Sequence, residues 1–131
     1  MKNVIVLVAF VFLALSAQAQ KAQWATIKVP QLKCWDCKER LDKYLSREKG
    51  PNNDAGIIRW TFQLQSATLR VQYYPERINL NYIQTAIANA GFDADEIKAE
   101  EEAYKKLPPI CKRAEDGGGP KPGRPCHTPP M

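Results

Sequence analysis

Residues 24–37 read WATIKVPQLKCWDC, and the change of pattern within them decides the fold. Apolar and polar side chains alternate in the first half, which is typical of a strand with one buried face. The apolar members are Ala25, Ile27 and Val29. Because Pro30 cannot donate a ladder hydrogen bond, we expect the strand to end there. A helical pattern starts near Trp35, so Cys34 and Cys37 lie at a junction of strand and helix.

The rest of the chain extends this pattern to four strands and two main helices. The first helix carries Cys37, Leu41, Tyr44, Leu45 and Glu48 at helical spacing. Residues 58–73 contain two alternating segments separated by Gln65-Ser66, which predicts a hairpin. A second helix begins after Asn79 or Asn81, either of which can cap it, and ends at Gly91.

The last predicted elements are a short strand over residues 92–97 and a short helix over residues 100–106. The order β-α-β-β-α-β predicts an α+β, ferredoxin-like sandwich. One face of its sheet would be covered by both helices, which agrees with the one-sided alternation of the strands.

Both ends of the chain differ from this domain. Residues 1–19 combine Lys2, an apolar run and Ala17-Gln18-Ala19, which is the pattern of a cleaved signal peptide. The run is shorter than the roughly 20 residues of a membrane span, so we expect export, to the periplasm, with no stable membrane span after cleavage. An uncleaved anchor and secretion are the alternatives.

The C-terminal end is rich in proline and glycine, since most of these residues lie beyond Leu107. Such a stretch has little apolar surface to set against the entropy lost on ordering. We therefore predict a flexible, disordered tail over residues 108–131, outside a domain formed by residues 20–107.

The protein has 4 cysteines, all of them beyond the predicted signal peptide. Export permits disulfides, and the sequence alone cannot choose among three full pairings. Three interpretations remain open for Cys111, Cys126 and His127. They can form an auxiliary metal site, the two cysteines can pair with each other, or the thiols can be unused.

Cys34 and Cys37 are the candidate functional residues. A helix N-terminus favours negative charge, and therefore favours the thiolate that binds metal or attacks a disulfide. Two thiolates with few other donors suit Cu(I) and similar thiophilic ions such as Hg(II). A closed Zn(II) site would need about four ligands, which the predicted core does not provide.

The segment Leu32-Lys33-Cys34-Trp35-Asp36-Cys37, between a strand and a helix, resembles the heavy-metal-associated domain. Copper chaperones, the periplasmic mercury-binding protein and the N-terminal domains of heavy-metal-transporting ATPases share this domain. The resemblance covers about residues 24–98, including Ala90-Gly91-Phe92. It implies that Cys34 and Cys37 bind the metal and pass it to the cysteine pair of a partner. Leu32 replaces the methionine common in the family, and we expect it to pack beneath the loop.

The sequence therefore predicts an exported metal carrier rather than an enzyme. Its partner would be a heavy-metal-transporting ATPase or another carrier. The net charge of +5 is spread along the chain without a basic cluster interleaved with aromatics, which argues against nucleic-acid binding. A thiol–disulfide oxidoreductase that uses the same cysteines is the alternative, and an interaction module with the tail as its binding segment is a third.

Overall fold

The computed structural model describes residues 2–6, 8, 21–50 and 55–126. The strands are β1 (Gln23–Lys28), β2 (Ile57–Gln63) and β3 (Thr68–Tyr73). The helices are α1 (Trp35–Lys49), α2 (Leu80–Asn89) and the short α3 (Glu101–Lys105). Two 3-10 turns follow, over Pro109–Cys111 and Ala114–Asp116.

The described part of the N-terminal segment is short. Residues 2–6 and 8 are helical, and the rest of the predicted signal peptide lies outside the described residues. The loop predicted after Gly50 lies outside them as well, over residues 51–54. Among the described residues, no helix has both the length and the apolar character needed to cross a bilayer.

The sheet is antiparallel, with strand order β1-β3-β2. The predicted hairpin is confirmed, because Gln63 of β2 pairs with Thr68 of β3 across the four-residue turn 64–67. Its last residue, Ala67, has a positive φ of 52° and accepts a hydrogen bond from the Val29 N–H at 2.9 Å. This bond fixes the end of β1 immediately before residues 30–34, the cysteine loop.

A register shift in β2 differs from the predicted alternation. The shift lies between Ile57 and Arg59, so that Ile57 and not Ile58 is fully buried. An irregularity of this kind places two successive residues opposite one partner residue, and it changes which side chain faces the core.

Both main helices cover the same face of the sheet. The shared core contains Leu41 and Leu45 of α1, Ile83 and Ile87 of α2, and Ile27, Leu69 and Val71 of the sheet. Helix α2 is capped as predicted, since the Asn79 side chain accepts a hydrogen bond from the Tyr82 N–H at 2.8 Å. The fold is therefore α+β and ferredoxin-like.

The fourth predicted strand is reduced to a turn beside β1. Ala94 and Ile97 form an isolated antiparallel bridge, because Asp95 has a positive φ of 51° and turns the chain back. The segment still occupies the edge of the sheet, where the Asp95 N–H donates to the Lys28 carbonyl at 2.8 Å. The Lys28 N–H donates in turn to the Asp95 carboxylate at 2.8 Å.

The tail differs most from the sequence-based expectation. Residues 108–126, expected to be flexible, pack on the domain, with Ile110 8% and Cys111 0% exposed. Amino-acid composition reflects apolar surface and ordering entropy, but it does not reveal covalent cross-links. Those cross-links hold this segment against α1, as described below. Residues 127–131 lie outside the described residues.

A substitution at Gly91 tests the close packing between the end of α2 and α3. Its φ is +101°, and a Cβ at this position would lie 2.9 Å from the Ala103 carbonyl oxygen. We expect Gly91→Ala to lower the free energy of unfolding by at least about 1–2 kcal/mol, the cost of a left-handed L-residue. Denaturant unfolding under non-reducing conditions measures this.

Gly123→Ala is the matched control, because a Cβ there would meet nothing within 4 Å. Its effect should stay within about 0.5 kcal/mol, as for other neutral surface substitutions. Equal destabilisation by the two variants would contradict the close packing assigned to Gly91.

Candidate metal centre

Cys34 and Cys37 lie where the sequence predicts them. Cys34 is the N-cap residue of α1, with extended backbone at φ −122° and ψ 154° and no side-chain capping bond. Cys37 lies in the first turn, and the two are 1% and 0% exposed. The backbone of Cys34 already belongs to the helix, since its carbonyl accepts from the Lys38 N–H at 3.1 Å. Both cysteines therefore lie at the positive end of the helix dipole.

The loop before Cys34 rests on buried side chains. Leu32 is fully buried in the core, as expected of a side chain that packs beneath the loop. Gln31 is 3% exposed, and its Nε2 donates to the carbonyls of Gly91 at 3.2 Å and Cys111 at 3.0 Å. Its Oε1 accepts from the Asp93 N–H at 2.7 Å. One buried amide thus joins the cysteine loop, the end of α2 and the tail.

Both candidate ligands are bonded to tail cysteines. Cys34 forms a disulfide with Cys126, and Cys37 forms one with Cys111. The Cα–Cα distances are 5.1 Å and 5.5 Å, within the usual range for disulfides. No cysteine in the described chain remains a thiol.

These bonds exclude two of the three interpretations that the sequence left open for Cys111 and Cys126. The cysteines do not pair within the tail, and they are not unused. In this oxidised state the described residues contain no group of three or more histidine, cysteine, aspartate or glutamate side chains placed to hold a metal ion. His127, the remaining member of the predicted auxiliary site, lies outside the described residues.

An ion pair anchors the tail next to Cys111. Arg113 contacts Asp93 through two hydrogen bonds of 2.7 Å, one from Nε and one from a terminal nitrogen. The two side chains are 20% and 7% exposed, so the pair is shielded from water. A bidentate geometry of this kind is among the stronger charge-assisted contacts in proteins.

This contact changes the acidity of both groups. Burial raises the pKa of the Asp93 carboxyl, but hydrogen bonds from Arg113 and from the Ala99 N–H lower it by more. The pKa of Asp93 therefore lies below its usual value. The hydrogen bond to Asp93 raises the pKa of the Arg113 guanidinium. The ion pair therefore stays charged across the neutral range.

Tyr104 extends the anchor to α3. The guanidinium of Arg113 lies 4.2 Å from the centre of the Tyr104 ring. The Tyr104 hydroxyl accepts from the Arg113 N–H at 3.0 Å and donates to the carboxylate of Asp116. No local pattern in the sequence predicts the roles of Gln31, Asp93, Tyr104 and Arg113, because their contacts join distant segments.

A cleft of about 970 Å³ lies between α1 and the tail. Its wall on α1 includes Asp36, Arg40 and Arg47, and its wall on the tail includes Ile110 and Pro125. The last two directly precede Cys111 and Cys126 in the chain. The cleft thus passes beside the segments that carry both tail cysteines.

The aromatic residues near the cysteines have different environments. Trp35 is half-buried, with the Lys38 ammonium 4.1 Å from the centre of its ring. Its indole Nε1 is buried and has no hydrogen-bond partner within the described chain. Phe92 is fully buried in the core.

Comparisons with solved structures found similar folds. Oxidised MerP from Ralstonia metallidurans CH34 is 19% identical, with a TM-score of 0.49 over 57% of this chain and 96% of that one. A structure described as CopZ metallochaperone is 22% identical, with a TM-score of 0.46 over 55% of this chain and 98% of that one. A mutant of ZiaAN is 22% identical, with a TM-score of 0.47 over 58% of this chain and 99% of that one.

The sequence comparisons gave no match. No family model matches the chain, and the search of curated proteins found no significant relative. The structural similarity covers a little over half of the chain. Similarity at this level concerns the fold alone, and what those proteins bind is a property of those proteins.

The disulfide pairing is the first prediction from this site. Proteolysis of air-oxidised protein without reductant should give peptide pairs that link Cys34 to Cys126 and Cys37 to Cys111, identified by mass spectrometry. Detection of Cys34 linked to Cys37, together with Cys111 linked to Cys126, as the main species would contradict the structure.

The ion pair gives a prediction about pH. Because the folded-state pKa of Asp93 is lowered, its stabilisation is present above the unfolded value of about 3.9 and is lost as the pH falls through the folded value. We expect Asp93→Asn to cost about 1.5–3 kcal/mol at pH 7, as for a charge-assisted hydrogen bond. The difference from the wild type should shrink as the pH falls below about 4.

Urea unfolding of the oxidised proteins at several pH values measures this difference. Glu115→Gln is the control, since this exposed carboxylate lies in the same segment. A cost for Asp93→Asn that does not change with pH would mean that the ionised carboxylate is not what stabilises the tail.

Proposed function

We propose that the protein binds one soft metal ion, Cu(I) in the first place, between the thiolates of Cys34 and Cys37. The observation that carries this proposal is the position of the two cysteines, one at the N-cap position of α1 and one in its first turn. Exposed N–H groups at a helix N-terminus stabilise negative charge, so reduction yields two adjacent thiolates. Soft sulfur donors select Cu(I) over ions that prefer oxygen.

The small number of donors supports transfer rather than permanent storage. Two sulfurs leave a thiophilic ion open to attack by a third sulfur from a partner. Handover by thiolate exchange to a metal-transporting ATPase or another carrier follows from that chemistry. Hg(II) has the same ligand preference, whereas Zn(II) would need further ligands.

Export is part of the proposal. Two disulfides in one small domain are typical of an oxidising compartment such as the periplasm. The site then binds metal after reduction, and the same cysteines are chemically inert towards metal while they are bonded to the tail. We do not assign an enzymatic reaction to the protein.

The test is Cu(I) binding by the reduced protein under anaerobic conditions, in competition with a chromogenic Cu(I) chelator. We expect one Cu(I) per chain, held tightly enough to withdraw the ion from the chelator. Cys34→Ser/Cys37→Ser should lose this binding, because no adjacent thiolate pair remains. Cys111→Ser/Cys126→Ser is the matched control, with the same number of cysteines removed, and should keep it.

Two results would contradict the proposal. One is equal Cu(I) binding by the two double variants, which would move the site away from Cys34 and Cys37. The other is failure of the reduced wild type to bind Cu(I) while it turns over disulfide substrates with a dithiol, which would favour the oxidoreductase.

A further inference from the structure

We propose that residues 108–126 are a covalent, redox-operated cap on Cys34 and Cys37, and that the cap opens in two steps, outer disulfide first. The proposal rests on the proposed metal site, whose regulation it describes. The outer segment is 117–126, which ends in the bond to Cys34. The inner segment is 108–116, which contains the bond to Cys37.

The closed form offers no ligand to a metal. The thiolate is the species that binds a soft ion, and each of the four sulfurs is engaged in a disulfide. The cap also shields the two candidate ligands from solvent, since Cys34 is 1% and Cys37 0% exposed. Sulfur held as a disulfide is protected from stepwise oxidation to sulfinic and sulfonic acids. The cap therefore stores the site in a recoverable form.

The two disulfides differ in access. Cys37 and Cys111 are both 0% exposed, and the neighbouring Ile110 is also buried. Cys126 is half-buried, beside the exposed Pro125. A reductant in solution therefore reaches the Cys34–Cys126 bond first, because thiol–disulfide exchange requires direct attack on a sulfur.

The two segments also differ in what else holds them. In the outer segment Arg124 donates to the carbonyls of Gly117 and Gly119, and the Gly119 N–H donates to Pro109. These bonds connect tail residues with one another, so the disulfide is the main tie from residues 117–126 to the cysteine loop.

The inner segment has direct contacts with the domain. Arg113 pairs with Asp93, and the Cys111 carbonyl accepts from the buried Gln31 amide. These contacts remain after the outer disulfide opens. The intermediate then has one released ligand, Cys34, while Cys37 is still bonded to Cys111. A two-sulfur metal site forms only after the second step.

Each step consumes one equivalent of a dithiol reductant. A thiolate of the dithiol attacks Cys126 Sγ, the bond to Cys34 breaks, and Cys34 leaves as a thiolate at the start of α1. The second thiol of the dithiol then attacks the mixed disulfide, which releases Cys126 and leaves the reductant oxidised. Two electrons pass to the protein. Cys126 takes up one proton, and the proton that the dithiol lost in forming its attacking thiolate stays in the solvent while Cys34 remains a thiolate. The same sequence at Cys111 opens the inner bond.

The test for the order of opening uses the full oxidised chain and limiting dithiothreitol. Aliquots are quenched in acid, alkylated and mapped by mass spectrometry for the two linked peptide pairs. We expect the Cys34–Cys126 pair to disappear several-fold faster than the Cys37–Cys111 pair. Loss of the inner pair first, or of both pairs at one rate, would overturn the stepwise cap.

Metal binding tests the closed state separately. Oxidised wild type should bind far less than one Cu(I) per chain, and full reduction should restore one. Cys111→Ser/Cys126→Ser, reduced in the same way, should bind one Cu(I), because it keeps Cys34 and Cys37 but cannot form either disulfide of the cap. The state of the cap in the wild type is monitored by mapping the two linked peptide pairs.

The results separate the two proposals. Equal binding by oxidised and reduced wild type would overturn the cap and leave the metal site standing. Absence of binding in every reduced form would overturn the proposed function, while the order of reduction would still be measured by the peptide map.

Discussion

The structure depends on the bonds between the start of α1 and the C-terminal segment. Cys34 and Cys37 are three positions apart, yet their partners are 92 and 74 residues away in the sequence. In the chain-entropy account, the Cys37–Cys111 bond, with a sequence separation of 74, raises the free energy of the unfolded state by roughly 4 to 5 kcal/mol. The Cys34–Cys126 bond adds less, because it then closes only the short segments outside the first loop. This constraint explains how a segment rich in proline and glycine acquires a defined path.

The remaining contacts of the cap would be weak without that constraint. The cap has few apolar residues. Its other contacts are the hydrogen bonds of Arg124, the turns over Pro109–Cys111 and Ala114–Asp116, and the packing on the ring of Tyr104. The Asp93–Arg113 pair and the Gln31 amide are better shielded, and they fix the inner half to the end of α2. Covalent bonds and buried polar contacts thus replace the apolar burial that orders most domains.

The elements that were predictable from sequence are those with a local signal. Alternation identifies β1 and β3, the Asn79 cap and Gly91 bound α2, and the change of period before Trp35 locates the cysteines. The register shift at Ile57 and the turn at Asp95 were missed, because each depends on backbone geometry that side-chain pattern does not encode.

The cysteine pairing could not be predicted from the sequence for a different reason. Four cysteines permit three pairings, and the choice depends on where the tail passes in space. That path is set by Asp93, Arg113 and Gln31, whose contacts span 20 to 80 residues of sequence. The expectation of a flexible tail followed from composition, and composition contains no information about such links.

The nested order of the disulfides has a consequence for biosynthesis. A chain is made from its N-terminus, so Cys34 and Cys37 emerge together, long before Cys111 and Cys126 have been added. During that interval each of the first two thiols has the other as its nearest partner. The final pairing therefore requires either that they stay reduced until translation ends or that an early bond between them is exchanged. The protein is thus a candidate client of a disulfide isomerase.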